Sequence, residues 1–281
     1  MSTTGAVEMN QDESVAGLKQ RYEAVLERIA AAAKRSKRRP EDIILVAVSK
    51  YASMEQVRAL IDLGHRDFGE NKVQDLVQRC AMVEESRRRR DILTRTMGPS
   101  EEGAHPGVRW HMIGHLQRNK VRKAIECSRL IHSCDSLRLA EEIQAQAMRR
   151  EKPVEVLLQV NCSKEVKKFG CPVSAAPHLA EQMNQMIEVR LRGLMTMAAE
   201  GESPEMARPA FERCRDLFEE IRHTGVAGNS FNLLSMGMSG DYEVAIECGA
   251  NVVRVGSAIF GARPEGAAPE SAERPPEDDD D

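Results

Sequence analysis

The stretch Ile43-Ile44-Leu45-Val46-Ala47-Val48-Ser49-Lys50 sets the fold class of this chain. An uninterrupted apolar run of this kind is typical of a strand that is buried on both faces, as in a parallel sheet covered by helices. The amphipathic segment over residues 54–63 indicates the covering helix. Lys50 closes the strand, so we expect it at the carboxyl end of the sheet, where α/β sheets and barrels bind their ligands.

The same unit, an apolar strand followed by an amphipathic helix, recurs along the chain. Strand-like runs cover residues 43–49, 67–69, 109–113, 130–133, 154–161, 189–196, 230–236 and 251–255. Helical patterns cover residues 15–36, 54–63, 72–83, 117–126, 136–149, 175–187, 204–224 and 240–248. These units predict an α/β chain folded as a single (β/α)8 TIM barrel with an extra N-terminal helix. A doubly wound open sheet is the alternative, because short strands are easily miscounted.

Three segments are predicted to lie outside the barrel, which we place over residues 14–263. Residues 1–13 are polar and mixed, and residues 264–281 are rich in Pro, Glu and Asp, so both ends are expected to be disordered. Residues 84–107 combine a basic run over 87–90 with several Gly and Pro residues and show no apolar period. This pattern predicts an exposed insertion with the character of a loop.

The composition argues against several classes of protein. Apolar residues make up 41% of the chain and charged residues 30%, as in ordinary globular proteins. No stretch reaches the roughly 18 apolar residues of a membrane span, and no secretory or transit signal is recognisable, so a cytoplasmic location is expected. The seven cysteines are scattered without a CxxC motif, which favours reduced thiols. Outside the acidic tail the chain is only mildly basic, which does not suggest a nucleic-acid surface.

Lys50 is the first candidate for chemistry. An amine at the end of a buried strand, with its stem against an apolar wall, is partly desolvated. Desolvation lowers the pKa of an amine and favours the neutral nucleophile that imine formation needs. The alternative is a lysine whose stem packs on the barrel while its amine reaches water.

A phosphate site is indicated after the last two strands. The motif SMGMS (235–239) follows the seventh predicted strand, and RVGS (254–257) follows the eighth. Glycine and hydroxyl residues let backbone N–H groups close around an anion, and these two loops are the usual phosphate site of such barrels. Strand 8 closes the barrel against strand 1, so a carbonyl compound with a phosphate arm would span from Lys50 to this site. Arg254 would lie beside the ligand, or would form an ion pair at the rim.

These motifs resemble, in type and order, those of the pyridoxal phosphate homeostasis proteins, a family similar to the N-terminal barrel of alanine racemase. The matching motifs are VAVSK (46–50), FGEN (68–71), WHMIG (110–114), LQ (116–117), NK (119–120), RGLM (192–195), SMGMS (235–239), Asp241 and RVGSAIFG (254–261). They cover about residues 15–263. The resemblance implies a barrel of the alanine-racemase N-terminal type that binds pyridoxal 5′-phosphate (PLP). The insertion and the acidic tail depart from the family pattern without interrupting a motif.

The resemblance also implies roles for individual residues. Lys50 would hold PLP as a Schiff base, and Arg254 would face the pyridine nitrogen. The phosphate would be held by Ser235, Gly256 and Ser257. The expected cofactor-binding residues are Lys50, Asn71, Ser235, Met238, Arg254, Gly256 and Ser257. A cation opposite the pyridine nitrogen keeps that atom unprotonated and weakens the electron sink of most PLP enzymes. The resemblance itself implies a role in vitamin B6 homeostasis without catalytic turnover.

Other functions are weighed against this one. A PLP-dependent amino-acid racemase of this fold needs an acid/base group opposite the lysine, and the segment after Phe260 is too short and too polar to supply one. A class I aldolase on a phosphorylated sugar also pairs a barrel lysine with a phosphate site, but no acidic proton shuttles cluster with Lys50. A purely structural or interaction role is the third class.

The remaining expectations concern metals and partners. His111 and His115 lack the HExxH pattern, which favours packing at the pocket or rim over metal binding. The expected partners are PLP and, as recipients, PLP-dependent apoenzymes. We expect no nucleic acid, no membrane and a monomeric chain.

Overall fold

Eight parallel strands close into a barrel in the computed structural model, which describes residues 4–97, 107–163, 165, 168–199 and 203–262. The strands are β1 (Ile44–Val48), β2 (Asp67–Glu70), β3 (Arg109–Met112), β4 (Ser128–Cys134), β5 (Val154–Asn161), β6 (Cys171–Pro172), β7 (Val189–Met195), β8 (Leu233–Ser235) and β9 (Val252–Val255). The ring runs β4-β3-β2-β1-β9-β8-β7-β5, and β4 pairs with β5 to complete it. The ninth strand, the short β6, lies outside this ring and pairs with the end of β5. The predicted (β/α)8 barrel is confirmed.

Helices cover the outside of this ring. They are α1 (Thr4–Arg35), α2 (Met54–Asp62), α3 (Val73–Met97), α4 (Val121–Cys127), α5 (Leu137–Arg150), α6 (Ala176–Asn184), α7 (Arg208–Thr224), α8 (Tyr242–Glu247) and α9 (Ser257–Phe260). Two helices, α2 and α5, are capped by serine: the Ser53 and Ser136 hydroxyls accept hydrogen bonds from backbone N–H groups in their first turns. In the described ranges, no helix combines the length and apolarity that a membrane crossing would require.

Two segments differ from the sequence-based expectation. Helix α1 begins at Thr4, within the 1–13 segment that was expected to be disordered, because adding turns to an existing helix costs little once it is nucleated. Helix α3 continues to Met97, so residues 84–97 of the expected loop insertion are helical. Arg and Glu are good helix formers, and Glu85 and Arg89 form an i,i+4 pair at 2.5 Å, so this part of the helix needs no apolar stripe. Residues 98–106 and the acidic tail after residue 262 lie outside the described residues.

The core has two layers that follow from strand alternation. Side chains that point outward pack against the helices, and a small inner cluster of Leu130, Leu157 and Met195 fills part of the barrel. The extra helix α1 packs on α2, α8 and α9 through a buried face that includes Leu18, Val25 and Ile29. All seven cysteines have free thiols, and five of them are buried.

Candidate cofactor-binding site

The carboxyl ends of β1, β2, β8 and β9 bring most of the predicted site residues to one end of the barrel. Strand β9 pairs with β1, with Val46 opposite Arg254 and Ala47 opposite Val255. Lys50 follows β1, Asn71 follows β2, and Gly256 and Ser257 follow β9. The two predicted features, the lysine and the phosphate loops, therefore lie on adjacent strands.

Lys50 is half-buried in the turn after β1, with its Nζ 5.2 Å from the centre of the Tyr51 ring. The strand below it is closely packed by glycines on both sides. A Cβ at Gly69 would lie 2.9 Å from Val46 Cγ1, and a Cβ at Gly256 would lie 3.3 Å from the carbonyl oxygen of Val48. The glycines thus let the chain on either side approach β1 more closely than a residue with a Cβ would allow.

Two backbone N–H groups at the start of α9 converge on one oxygen. The Ser239 hydroxyl oxygen accepts from the N–H of Gly256 at 3.0 Å and from the N–H of Ala258 at 3.4 Å. Paired N–H donors aimed at a single oxygen form a concavity that suits an anion. The chemistry of this donor set fits the phosphate of PLP.

The turn that carries Ser239 is shaped by Gly237. Gly237 has a φ of +88°, and a Cβ there would lie 2.7 Å from the Cα of Tyr242, so the turn requires glycine. The N–H of Met238 donates to the Asp241 carboxylate at 2.6 Å, which closes the loop and places half-buried Met238 at the site.

Arg254 lies deeper in the barrel and is 3% exposed. Its Nη1 donates to the Ser235 hydroxyl at 2.6 Å, and its Nη2 donates to the carbonyl oxygen of Thr196 at 3.0 Å. Burial lowers the pKa of Arg254 to about 10, which leaves the guanidinium charged at neutral pH. Ser235, expected at the phosphate, is fully buried, and its hydroxyl accepts this hydrogen bond from Arg254.

Glu70 is a buried acid that the sequence argument quoted without giving it a role. The Ser49 hydroxyl donates to its Oε1 at 2.6 Å and Arg79 Nε approaches the same oxygen at 2.9 Å, while Oε2 has no partner among the described residues. Burial raises the pKa of Glu70 to about 7. Arg79 also donates to the carbonyl oxygen of Ala52 at 2.7 Å, so the two residues hold both ends of the turn that contains Lys50.

The other predicted residues occupy the rim. Asn71 is half-buried and touches the β3 loop at Gly114, where a Cβ would lie 2.2 Å from the Asn71 carbonyl oxygen. Ser257 is exposed at the start of α9. His115 stacks on Phe169 at a centroid distance of 4.3 Å, whereas His111 is buried inside the barrel. Sequence reasoning missed Ser239 as the acceptor of the convergent N–H groups, although it stands in the quoted SMGMS motif.

Known proteins with related sequences show the family of this chain. A family model described as "Alanine racemase, N-terminal domain" matches residues 22–264. A pyridoxal phosphate homeostasis protein of Pseudomonas aeruginosa is 37% identical over 243 residues, which cover 86% of this chain and 94% of that protein. The protein of the same name from Escherichia coli K12 is 36% identical over 239 residues, which cover 85% of this chain and 94% of the relative.

Solved structures are also similar to this chain. PipY of Synechococcus elongatus PCC7942, solved with PLP bound, is 31% identical with a TM-score of 0.68, over 84% of this chain and all of PipY. A protein of unknown function from Bifidobacterium adolescentis is 35% identical with a TM-score of 0.78, over 89% of this chain and 96% of that one. Alanine racemase of Clostridium difficile 630, at 15% identity and a TM-score of 0.58, shares the fold. The resemblance inferred from the motifs is confirmed: the chain belongs to the pyridoxal phosphate homeostasis proteins, within the family of the alanine racemase N-terminal domain.

Proposed function

We propose that this chain binds PLP through a Schiff base on Lys50 and acts in intracellular vitamin B6 homeostasis without catalytic turnover. The observation that carries the proposal is the adjacency of two features on paired strands. Lys50 follows β1, and the convergent N–H groups of Gly256 and Ala258 follow β9. A ligand that carries both an aldehyde and a phosphate is complementary to this pair. The names of the relatives and the PLP in PipY support the choice of ligand.

The phosphate would replace the Ser239 hydroxyl on the two N–H groups. Ser257 lies between them in the chain and offers a further hydroxyl, and Gly256 allows the close approach because it has no Cβ. Met238 and Asn71 would line the space beside the cofactor. Ser235 would act on Arg254, since its hydroxyl is already hydrogen-bonded there.

Arg254 is the residue that argues against turnover. Its buried guanidinium would oppose the pyridine nitrogen and keep that atom unprotonated, which weakens the cofactor as an electron sink. The protein would therefore hold PLP rather than use it. An amino-acid racemase is the alternative, and it predicts that the PLP-loaded protein racemises amino acids faster than free PLP does.

The experiment that tests the proposal is absorbance spectroscopy of the purified protein with added PLP. Wild type should show an absorbance band at about 420 nm, the general expectation for a lysine Schiff base of this cofactor. Borohydride should fix the cofactor covalently to Lys50, as located by mass spectrometry of peptides. Lys50→Ala should lack both the band and the adduct.

Lys168→Ala is the matched control for this experiment. Lys168 lies on the loop after β5, where its Nζ donates to the carbonyl oxygen of Ala198 at 3.0 Å. It should keep the band of the wild type. A colourless wild type, or a band that persists in Lys50→Ala, refutes the assignment of the site.

The setting of this function is also a proposal. Seven free thiols suit the reducing cytoplasm, which is where we place the protein. We propose that the chain acts as a monomer and that PLP-dependent apoenzymes receive the cofactor from it. Mixing the PLP-loaded protein with an apoenzyme, and comparing the rate of reactivation with that given by free PLP at the same concentration, tests the transfer.

A further inference from the structure

Polar side chains form one continuous hydrogen-bonded chain inside the barrel. From the amino end of the strands to β9, its members are Arg109, Asp67, His111, His132, Ser235 and Arg254. The successive distances are 2.7 Å to Asp67 Oδ1, 3.1 Å to His111 Nε2, 2.9 Å between His111 Nδ1 and His132 Nε2, 3.0 Å from His132 Nδ1 to Ser235 Oγ, and 2.6 Å to Arg254. Asp67, His111, His132, Ser235 and Arg254 are all buried. The chain thus connects the far end of the barrel with the residue proposed to face PLP.

Arg254 and Asp67, the charged residues on either side of the two histidines and Ser235, fix the direction of this hydrogen-bonded chain. A guanidinium has only donors, so Arg254 must donate to Ser235. Burial alone would raise the pKa of Asp67, but hydrogen bonds from Arg109 and His111 outweigh it and hold that pKa well below its usual range. Asp67 is therefore ionised and can only accept, so His111 must carry a proton on Nε2.

The hydrogen bonds of His132 to His111 and to Ser235 depend on which ring nitrogen of His132 carries the proton. Burial lowers the pKa of His132 well below its usual value, so the ring is neutral. With its proton on Nε2, it donates to His111 Nδ1 and accepts the hydroxyl proton of Ser235 on Nδ1. With its proton on Nδ1, His111 would have to be a buried cation, and the Ser235 hydroxyl proton would have no acceptor among the described interior groups. The first arrangement satisfies every donor, and unsatisfied buried donors are costly.

We propose that Asp67, His111 and His132 are positioning residues for Arg254, acting through a chain in which every proton points from Arg254 towards Asp67. Because the Ser235 hydroxyl donates its proton to His132 Nδ1, its lone pairs point towards Arg254. The guanidinium is then held between Ser235 and the Thr196 carbonyl, and its other N–H groups stay available for the ring of a ligand. This role in the cofactor site rests on the function proposed above.

The first test uses the wild-type protein without cofactor. Two-dimensional ¹H–¹⁵N NMR of the imidazole rings distinguishes the two neutral tautomers and the imidazolium, and His132→Gln assigns the signals. Both His111 and His132 should be neutral with the proton on Nε2 at pH 7. An imidazolium at His111, or a proton on Nδ1 of His132, overturns the proposal. The result does not depend on PLP binding, so it stands apart from the proposed function.

The second test asks whether the far end of the chain affects the cofactor. Asp67→Asn removes the terminal charge, and Glu155→Gln is its matched control. Glu155 is another acid at the amino end of the strands, equally exposed at 13%, but it pairs with Arg129 at 2.6 Å and Arg192 at 2.8 Å outside the chain. Asp67→Asn should weaken PLP binding by roughly 5- to 30-fold and shift the absorbance band of the bound cofactor, while Glu155→Gln should do neither.

Equal effects of the two variants, or none from Asp67→Asn, overturn the proposal. If Asp67→Asn fails to fold, the comparison moves to His132→Gln and His132→Leu. Glutamine offers an NH2 group that donates and a carbonyl oxygen that accepts, so it should retain most of the affinity and the band of the wild type, whereas leucine should lose both. Equal behaviour of these two variants contradicts the role of His132. A wild type that forms no Schiff base would instead refute the proposed function and leave the tautomer result in place.

Discussion

The buried acid Glu70 should make the stability of this protein fall as the pH rises through neutrality. Burial raises the pKa of Glu70 from 4.5 to about 7, so the folded state binds a proton that the unfolded state has already released in this range. The stabilisation is complete below pH 4.5 and is lost as the pH rises to 7 and above. A shift of this size corresponds to roughly 3 kcal/mol in the free energy of unfolding.

The variant Glu70→Gln removes the titration and keeps an oxygen for Ser49 and Arg79. Urea unfolding at pH 5 and at pH 8.5 gives the free energy for both proteins. The free energy of unfolding of wild type, minus that of the variant, should fall by about 2.5 kcal/mol from pH 5 to pH 8.5, because part of the stabilisation is already lost at pH 5. Comparison at each pH is needed because burial lowers the pKa of His65 to about 4, which changes stability in the opposite direction. Glu181→Gln, at an exposed site on α6, controls for the lost charge.

The reasoning about Glu70 is refuted if the difference between wild type and Glu70→Gln is the same at both pH values. It is also refuted if the exposed control reproduces the change, because the effect would then reflect net charge alone. A stability difference that grows in the other direction would mean that the Arg79 contact outweighs burial and lowers the pKa of Glu70.

Two further predictions concern the phosphate loop. Gly237→Ala should lower the free energy of unfolding, measured in urea, by more than about 1 kcal/mol, because the φ of +88° and the close Tyr242 backbone exclude a Cβ. Gly240→Ala, with open space around it, should lower it less. Equal losses in the two variants would contradict the turn geometry. In fluorescence titrations, Ser239→Ala should change the affinity for PLP but not the affinity for pyridoxal, which lacks the phosphate. A similar change for both ligands would show that Ser239 does not lie at the phosphate site.

The fold was predictable because its strands are nearly continuous apolar runs. Each of the eight predicted strands overlaps a strand of the barrel, and the adjacency of Lys50 and Gly256 follows from closure of the ring. Helix α3 was underestimated because residues 84–91 are all polar, so an apolar periodic pattern does not extend the helix past Val83. High helix propensity was the signal that could have extended it.

The site was predictable only in part, because the direction of a side chain depends on register. Ser235 and Ser239 both stand in the SMGMS motif, but Ser235 is still in β8 and points at Arg254, whereas Ser239 lies in the loop beyond. The contact between His111 and His132 depends on an irregularity in the β3–β4 pairing at Trp110 and His111. Such shifts leave no mark in the sequence pattern.

The N-terminal helix has a consequence for how the chain is made. Arg21 in α1 donates to the carbonyl oxygen of Ile259 at a sequence separation of 238 residues, and Arg28 pairs with Glu243 of α8 at 2.5 Å. Ribosomes add about 5 to 20 residues per second, so the first helix waits roughly 10 to 50 s for its docking site to be synthesised. During that time α1 can contact α2 but lacks its native contacts with α8 and α9. The packing of α1 is therefore completed late in synthesis, and the barrel closes only after β9 has been made.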